Sequence, residues 1–295
     1  MIRIAVIGAA GQIGKMICEG IHTSLPDAEL ITLTRRKEYS SQGFTLFDPE
    51  NDDWSILGKV DVLINCAGII QESKDDAFDQ VHIQLVQKII ENRNIIGNPR
   101  IIHFSALGAD PLHPIYFLKT KGIGDQIILK QSNAYVIRPS IVCIHDALLV
   151  KKFKMLFDMS RYMFNHTLLP SAFSKTRIQP VMPSDLQQTI VQLCTTEQHQ
   201  KIWNVVGAEE LSFGWLMELA SSVRNQKIVP VEIPKNLVAA VTKNFISVWF
   251  PDLINYDQFQ LLFKDHIADP QPMEQLIGKR AEHTQVFWEN EFKME

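Results

Sequence analysis

A doubly wound α/β fold, with a parallel sheet between two layers of helices and a smaller C-terminal α/β lobe, is predicted from three observations. The chain opens on an apolar, β-branched run, Ile2-Arg3-Ile4-Ala5-Val6-Ile7. A glycine-spaced turn follows at once, Gly8-Ala9-Ala10-Gly11-Gln12-Ile13-Gly14. Behind it, short apolar runs and helix-period segments alternate as far as about residue 140, which is the pattern of a parallel sheet covered on both faces.

Strands are predicted at residues 2–7, 29–33, 45–47, 61–65, 100–104 and 134–137, with helices at 12–24, 75–92 and 117–131. In the second helix, Val81, Leu85, Ile89 and Ile90 recur at helical spacing and mark a buried stripe. After Arg138-Pro139-Ser140 the character changes. Residues 151–164 read as an amphipathic helix, Pro170, Pro180 and Pro183 mark a loop, and Ser184-Asp185 offer an N-cap to a helix over 186–194. Residues 203–206 read as a strand returning to the main sheet, and further helices are expected at 212–223 and 234–248. The expected organisation is a first domain over 1–140, to which 184–206 returns, and a smaller substrate or partner lobe built from 141–183 and 207–295.

Composition narrows the function classes. The 295 residues are 46% hydrophobic and 21% charged, and 29 Lys and Arg against 33 Asp and Glu leave a net charge of −4. This is the balance of a globular protein, without the basic footprint that nucleic acid requires. Cys18, Cys66, Cys143 and Cys194 are far apart and show no metal-binding spacing, so no metal site is expected and a reducing compartment suits them. Met1 leads directly into the first strand and no apolar run approaches the ~20 residues of a membrane span. The expectation is a cytoplasmic protein. The stretch Lys151-Lys152-Phe153-Lys154-Met155-Leu156-Phe157 raises contact with an acidic membrane surface or a protein partner. The competing reading is a helix packed on its own lobe.

Each glycine of the first turn has a mechanical use. Gly8 allows the tight exit from the strand, Gly11 lets a diphosphate approach the backbone, and Gly14 lets helix and sheet pack closely. The helix that follows turns unpaired N–H groups and the positive end of its dipole toward the phosphates. In its strand–turn–helix setting this predicts a Rossmann-type domain that binds a nicotinamide dinucleotide, with Gly8, Ala10, Gly11, Gln12, Ile13 and Gly14 as diphosphate contacts. The second strand ends in Thr34-Arg35-Arg36, where arginine accommodates the 2′-phosphate of NADP. NADP(H) is therefore favoured over NAD(H), and a solvated arginine pair is the alternative.

Phe47-Asp48 after the third strand, Asn65-Cys66-Ala67-Gly68 after the fourth and His103-Phe104-Ser105-Ala106-Leu107-Gly108-Ala109 after the fifth continue a recognisable series. Arg138-Pro139-Ser140, Gln179-Pro180-Val181 through Asp185, and Leu261-Leu262-Phe263-Lys264-Asp265 complete it. By these segments the chain resembles, almost end to end, the short-chain dehydrogenase/reductase superfamily in its atypical, extended branch. Within that branch it is most similar to the group of the NAD(P)H-binding accessory subunit of respiratory complex I. The resemblance implies that Asp48 sits near the adenine and that Cys66, Ala67 and Gly68 pass under the cofactor. An Asp-Pro turn at Asp48-Pro49 and a small-residue strand exit at Ala67-Gly68 are the plainer readings.

Enzymes of the resembled family carry Tyr and Lys one helical turn apart, with a Ser upstream. There the ammonium lowers the phenol pKa and the tyrosine moves a proton beside the nicotinamide. Here the helix reads Tyr116-Phe117-Leu118-Lys119-Thr120-Lys121-Gly122-Ile123-Gly124-Asp125. Aligning Lys121 with the family lysine puts Phe117, which carries no proton, in the tyrosine position. Tyr116 is rotated from it by about 100° around the helix. Either Lys121 serves cofactor binding alone, or a shift of register brings Tyr116 and Lys119 into use. Ser105 is the candidate hydroxyl for polarising a carbonyl, or else a plain strand-end serine, and His103 is expected to be structural. Candidate catalytic residues are thus Lys121, Ser105 and Tyr116, with Ser105 and Lys121 also on the cofactor side. Arg138 and Asp185 are expected to brace a strand exit and cap a helix. No GxSxG elbow supports hydrolase chemistry. The pairs Asp52-Asp53 and Asp75-Asp76 read as loop and helix-start residues.

Two functions follow. One is an NAD(P)-dependent reductase or epimerase acting on a small carbonyl or sugar-like substrate, with the site between the lobes. The other is a non-catalytic NADP(H)-binding sensor, assembly or regulatory protein, which the Phe117 substitution favours; a regulator that tells oxidised from reduced cofactor is a variant of it.

Overall fold

The computed structural model describes residues 1–73, 76–145, 151, 167–223, 225, 227–232 and 260–293. Of the expected features, Asp75, the amphipathic helix beyond Lys151 and the helix over 234–248 lie outside the described residues. The chain divides into two compact units: Met1–Pro139, Pro183–Val205 and Asp269–Arg280 form one, and Ser140–Met182, Val206–Ala268 and Ala281–Glu295 form the other.

The first unit is built on seven strands, all in parallel pairs: β1 (Arg3–Ile7), β2 (Glu29–Thr34), β3 (Thr45–Leu46), β4 (Val62–Asn65), β5 (Arg100–Phe104), β6 (Ala134–Pro139) and, after two strands of the second unit, β9 (Ile202–Val205). Their order is β3-β2-β1-β4-β5-β6-β9, which is the Rossmann order extended by one strand. Register sets Ile4 of β1 beside Leu30 of β2 and beside Val62 of β4. Chain direction across the sheet reverses between β1 and β4, and in such sheets the crevice at the strand ends lies there. Ile4, Ala5 and Val6 are fully buried, as a central parallel strand covered on both faces requires. Ala5, Ile7, Leu33, Leu63, Val86, Ile89, Ile101 and Val136 are among the residues of one continuous core.

Helices α1 (Gln12–Ser24), α2 (Leu85–Asn92), α3 (Tyr116–Leu129) and α4 (Pro183–Thr195) cover the sheet. The segment expected as one helix over 75–92 starts at Phe78 and passes through a wide π-helical turn, Gln80–Gln84, before α2. The wide turn sets His82 inward, where it accepts from the Ile69 N–H at 3.3 Å and meets Thr120 Oγ1 at 2.9 Å. Its carbonyl leaves no space for a side chain on α3, since a Cβ at Gly124 would stand 2.4 Å from His82 O. Helix α4 returns to the sheet by a tie that sequence spacing does not show. Arg100 Nη1 donates to the carbonyls of Leu193, Cys194 and Thr196 at 2.8–2.9 Å, satisfying the helix C-terminus with a cation.

In the second unit, β7 (Thr167–Pro170) pairs in parallel with β11 (Ile228–Val231), and β8 (Arg177–Ile178) pairs antiparallel with β10 (Leu211–Ser212). Helices α5 (Phe213–Val223) and α7 (Gln285–Lys293) share a core of Phe213, Leu216, Met217, Phe287, Trp288 and Phe292. Glu209 opens α7 by accepting from the Thr284 and Gln285 N–H groups, and these bonds with His283 hold its carboxyl below the ordinary range despite burial. The short helix α6 (Gln271–Ile277) belongs to the first unit and leads to Lys279, which pairs with the fully buried Asp185 of α4 at 2.9 Å. Among the described residues no helix is long and apolar enough to cross a membrane, and no His/Cys/Asp/Glu cluster could hold a metal ion.

Candidate dinucleotide cleft

The β1–α1 turn is shaped by contact with the end of β4. Gly8 adopts φ +77°, a conformation that L side chains rarely take, and a Cβ there would lie 2.8 Å from Ala67 N. At Gly14 a Cβ would lie 2.2 Å from Gly8 O, so only glycine lets α1 start this close to the strand exit. Gly11 N–H donates to Gly8 O at 3.0 Å and closes the turn. Gly11 is also the N-cap of α1, without a side-chain cap and with no acidic residue in the first turn. The positive end of α1 therefore faces the cleft uncovered by any carboxylate of its own.

A cleft of ≈ 150 Å³ in the first unit runs over this turn. Gly8, Ala10 and Gly11 form its floor at one strand end, Cys66, Ala67 and Gly68 the neighbouring wall, and Arg35, Arg36, Asp48 and Glu50 the far lip. Gln12, Ile13 and Gly14 begin the helix behind the turn. The expected diphosphate and adenosine residues are thus brought to one cleft, apart from those three helix residues. A backbone cradle lined by glycine at a helix start without a side-chain cap fits a dinucleotide diphosphate.

Asp48 lines the cleft but its carboxylate is also used locally, accepting from the Glu50 N–H at 3.1 Å and from Asn51 Nδ2 at 2.7 Å. Asp52 accepts from the Asp48 N–H, and Asp53 caps a 3₁₀ turn over Trp54–Leu57 through Ser55. Arg36 rests 6.0 Å from the Tyr39 ring, and Lys15 from α1 rests 4.6 Å from the same ring. Arg35 reaches across the cleft to Asp76.

At the other end, Lys121 is buried on α3, donates to Phe104 O at 3.0 Å, and lies under Gly68, whose Cβ would stand 2.9 Å from Nζ. Burial pushes the ammonium down to about 8, while Asp125 and Cys66 pull it up. Cys66 is itself driven well above the ordinary thiol value by burial, so Lys121 meets a neutral thiol. Asp125 accepts two bonds from Arg138, Nε at 2.9 Å and Nη2 at 2.7 Å. Burial outweighs that guanidinium and holds the Asp125 carboxyl above its usual range. Ser105 Oγ is near enough to favour the Asp125 anion but misses hydrogen-bond geometry; it is buried and has no hydrogen-bond partner. His103 bonds Asn65 through Nδ1 at 3.1 Å, and Asn65 Oδ1 accepts from the Ala67 N–H, fixing the wall of the cleft. Burial, helped by the Lys121 charge, pushes His103 down to about 3 and His82 to about 2, so both are neutral braces.

Tyr116 and Phe117 point elsewhere. Tyr116 is 42% exposed and donates to Asp79 Oδ2 at 2.7 Å, which pushes the phenol up to about 12. Phe117 packs against Phe78 and His82, with ring centroids 5.8 and 5.7 Å apart. Sequence reading missed Asn65, Asp76 and Gln80 at this site, and Lys15 and Tyr39 beside Arg36. Only Asn65 had a signal, as the first residue of Asn-Cys-Ala-Gly; the others are joined to their partners by folding alone.

The strand order, the reversal at β1 and β4 and the glycine turn define an α/β protein with the Rossmann-type fold of the short-chain dehydrogenase/reductases and epimerases. The kinship read from the motifs also holds: the chain is similar to the mitochondrial 40 kDa subunit of NADH-ubiquinone oxidoreductase from Neurospora crassa, with 22% identity over 285 residues, covering 90% of this chain and 72% of that one. No family model matches. Among solved structures, the NADPH-dependent quinone oxidoreductase of Escherichia coli, complexed with NADPH, superposes with a TM-score of 0.73 at 15% identity, covering 98% of this chain and 99% of that one. The UDP-glucuronic acid 4-epimerase of Bacillus cereus, with UDP-glucuronic acid and NAD, gives 0.70 at 15% identity over 99% and 98%.

Proposed function

We propose that this protein binds a nicotinamide dinucleotide in the first-unit cleft, NADP(H) in preference to NAD(H), and uses it as a structural or sensing element without turning it over. The single observation behind the non-catalytic reading is the fate of the two tyrosine candidates. Phe117 stands four residues before Lys121, where the resembled family carries its tyrosine, and packs on Phe78 and His82, while Tyr116 is committed to Asp79 with its phenol raised to about 12. The tyrosine that would give and take a proton beside the nicotinamide is therefore missing. Binding is supported by the glycine cradle, and the NADP preference by Arg35 and Arg36 on the lip. Gly8, Ala10, Gly11, Gln12, Ile13 and Gly14 would receive the diphosphate, Asp48 would border the adenine, and Cys66, Ala67, Gly68 and Lys121 would underlie the nicotinamide half. The Neurospora relative is a subunit of NADH-ubiquinone oxidoreductase, and we extend that to a protein partner for this chain. Cys18, Cys66, Cys143 and Cys194 are all free, in keeping with a reducing, cytoplasmic setting; cell fractionation checks it.

The second reading is a reductase or epimerase for a small carbonyl or sugar-like substrate. One observation favours it: Lys121, at about 8, is poised to exchange a proton at the Gly68 wall. Thermal unfolding with NAD, NADH, NADP and NADPH separates these ideas. Ligand at a hundredfold excess over its dissociation constant adds ~2.7 kcal/mol. Stabilisation of that order with no oxidation of bound NADPH against a panel of carbonyls upholds the first reading. Turnover by the wild type that Lys121→Ala abolishes and Phe117→Tyr increases would replace it with the second, and indifference to all four cofactors would end both.

A further inference from the structure

Arg35, the arginine on which the NADP preference leans, is already engaged. Its Nη2 lies 2.5 Å from Asp76 Oδ1 on the opposite lip of the cleft. Asp76 is held there by Ser73, whose N–H donates to Asp76 O at 2.9 Å and whose Oγ accepts from the Asp76 N–H at 3.1 Å. A second tie crosses the same mouth, from Gln80 Nε2 to Glu50 Oε1 at 3.1 Å. Three carboxylates, Asp76 first and then Asp48 and Glu50, raise the Arg35 guanidinium above its ordinary value.

We infer that Asp76 sets the choice between the two cofactors by competing with the 2′-phosphate of NADP for Arg35. This rests on the dinucleotide binding proposed above. The free 2′-hydroxyl of NAD leaves the Arg35–Asp76 pair intact and brings no charge to the lip. A 2′-phosphate gains a guanidinium only by drawing Arg35 off Asp76, and then faces the carboxylate it has stripped. Side chains 45% and 27% exposed make the pair exchangeable, so Asp76 weights the choice and does not forbid NADP. Selectivity built this way depends on a repulsive element as much as on an attractive one.

Isothermal titration of the full chain with NADH and NADPH at one ionic strength tests this, using the wild type, Asp76→Asn, Arg35→Gln and the double variant. Asp76→Asn is expected to tighten NADPH by about tenfold, ~1.4 kcal/mol, and to change NADH by less than about threefold. In the Arg35→Gln background the gain for NADPH falls below about threefold, about 0.65 kcal/mol. Asp76→Ser serves if Asp76→Asn does not fold. An NADPH-to-NADH ratio unchanged by loss of Asp76, or a gain equal for both cofactors, overturns the competition while leaving dinucleotide binding intact. A wild type that binds neither cofactor overturns the binding reading and this inference with it.

Discussion

Lys121→Met removes a charge from a place that water does not reach. The residue is 5% exposed, and burial takes its ammonium from 10.5 to about 8. A fall of that size corresponds to roughly 3 kcal/mol spent on keeping the group charged at neutral pH. Methionine is unbranched and apolar and fills much the same path without that cost. Against the gain, Phe104 O loses its donor, at about 1 kcal/mol. Asp125 keeps both bonds to Arg138. The net expectation at pH 7 is a variant more stable than the wild type by about 2 kcal/mol, or roughly 4–8 °C in unfolding midpoint for a domain of this size. The pH dependence carries its own sign. Between about 8 and 10.5 the unfolded chain holds a proton at Lys121 that the native protein has released, so wild-type stability rises with pH across that window. The advantage of the variant is therefore full below pH 8, and by about 10.5 it has reversed by the ~1 kcal/mol of the lost hydrogen bond to Phe104 O. The same change takes the ammonium from under Gly68 and weakens the proposed cofactor site. Thermal unfolding across that pH range, with and without NADPH, reads both effects. A variant less stable than the wild type at pH 7, or a gap that does not change with pH, refutes the argument.

Three further outcomes are expected. Gly8→Ala combines a positive φ with a Cβ 2.8 Å from Ala67 N, so it should cost about 2–4 kcal/mol, through backbone strain and overpacking, and reduce the stabilisation by NADPH; unfolding midpoints within about 1 °C would contradict this reading of the turn. Arg138→Gln leaves Asp125 buried without its guanidinium and should cost about 3–5 kcal/mol, much of which Asp125→Asn restores in the double variant; a double-mutant cycle by denaturant unfolding measures it. His82 and His103 stay neutral in the fold down to about 2 and about 3, but protonate in the unfolded chain below about 6.5. Stability should therefore fall as pH drops from 6.5 toward 3, with one proton less in the slope for His103→Asn, as followed by pH-dependent unfolding.

The β1–α1 turn was legible because, apart from the contact of Gly8 with Ala67, its cause is local. Gly8, Gly11 and Gly14 must lie close in the chain to let one strand bend into one helix, so the spacing carries the geometry. The six predicted strands of the first half appear within two residues of their expected ends, and in all but the exposed β3 the apolar runs report burial directly. The π-helical turn at Gln80–Gln84 was hidden, because its occasion is the packing of His82 between Ile69 and Thr120. Arg100, read as the start of a strand, also ends α4, 93 residues further on.

What the residues alone established is the parallel α/β plan, the glycine cradle and the absence of tyrosine from the position beside Lys121. Each is a matter of residue type at short range. Folding decided which partners the charged groups of the cleft meet. Asp76, which as half of an Asp-Asp pair read as a helix-start residue, meets Arg35 across 41 positions. Lys121 is lowered because α3 packs it against β5 and Gly68, and Tyr116 is withdrawn because Asp79 stands within reach of its hydroxyl. Electrostatic energies depend on distance and on exclusion of water, and neither exists for such pairs until the chain has brought them together.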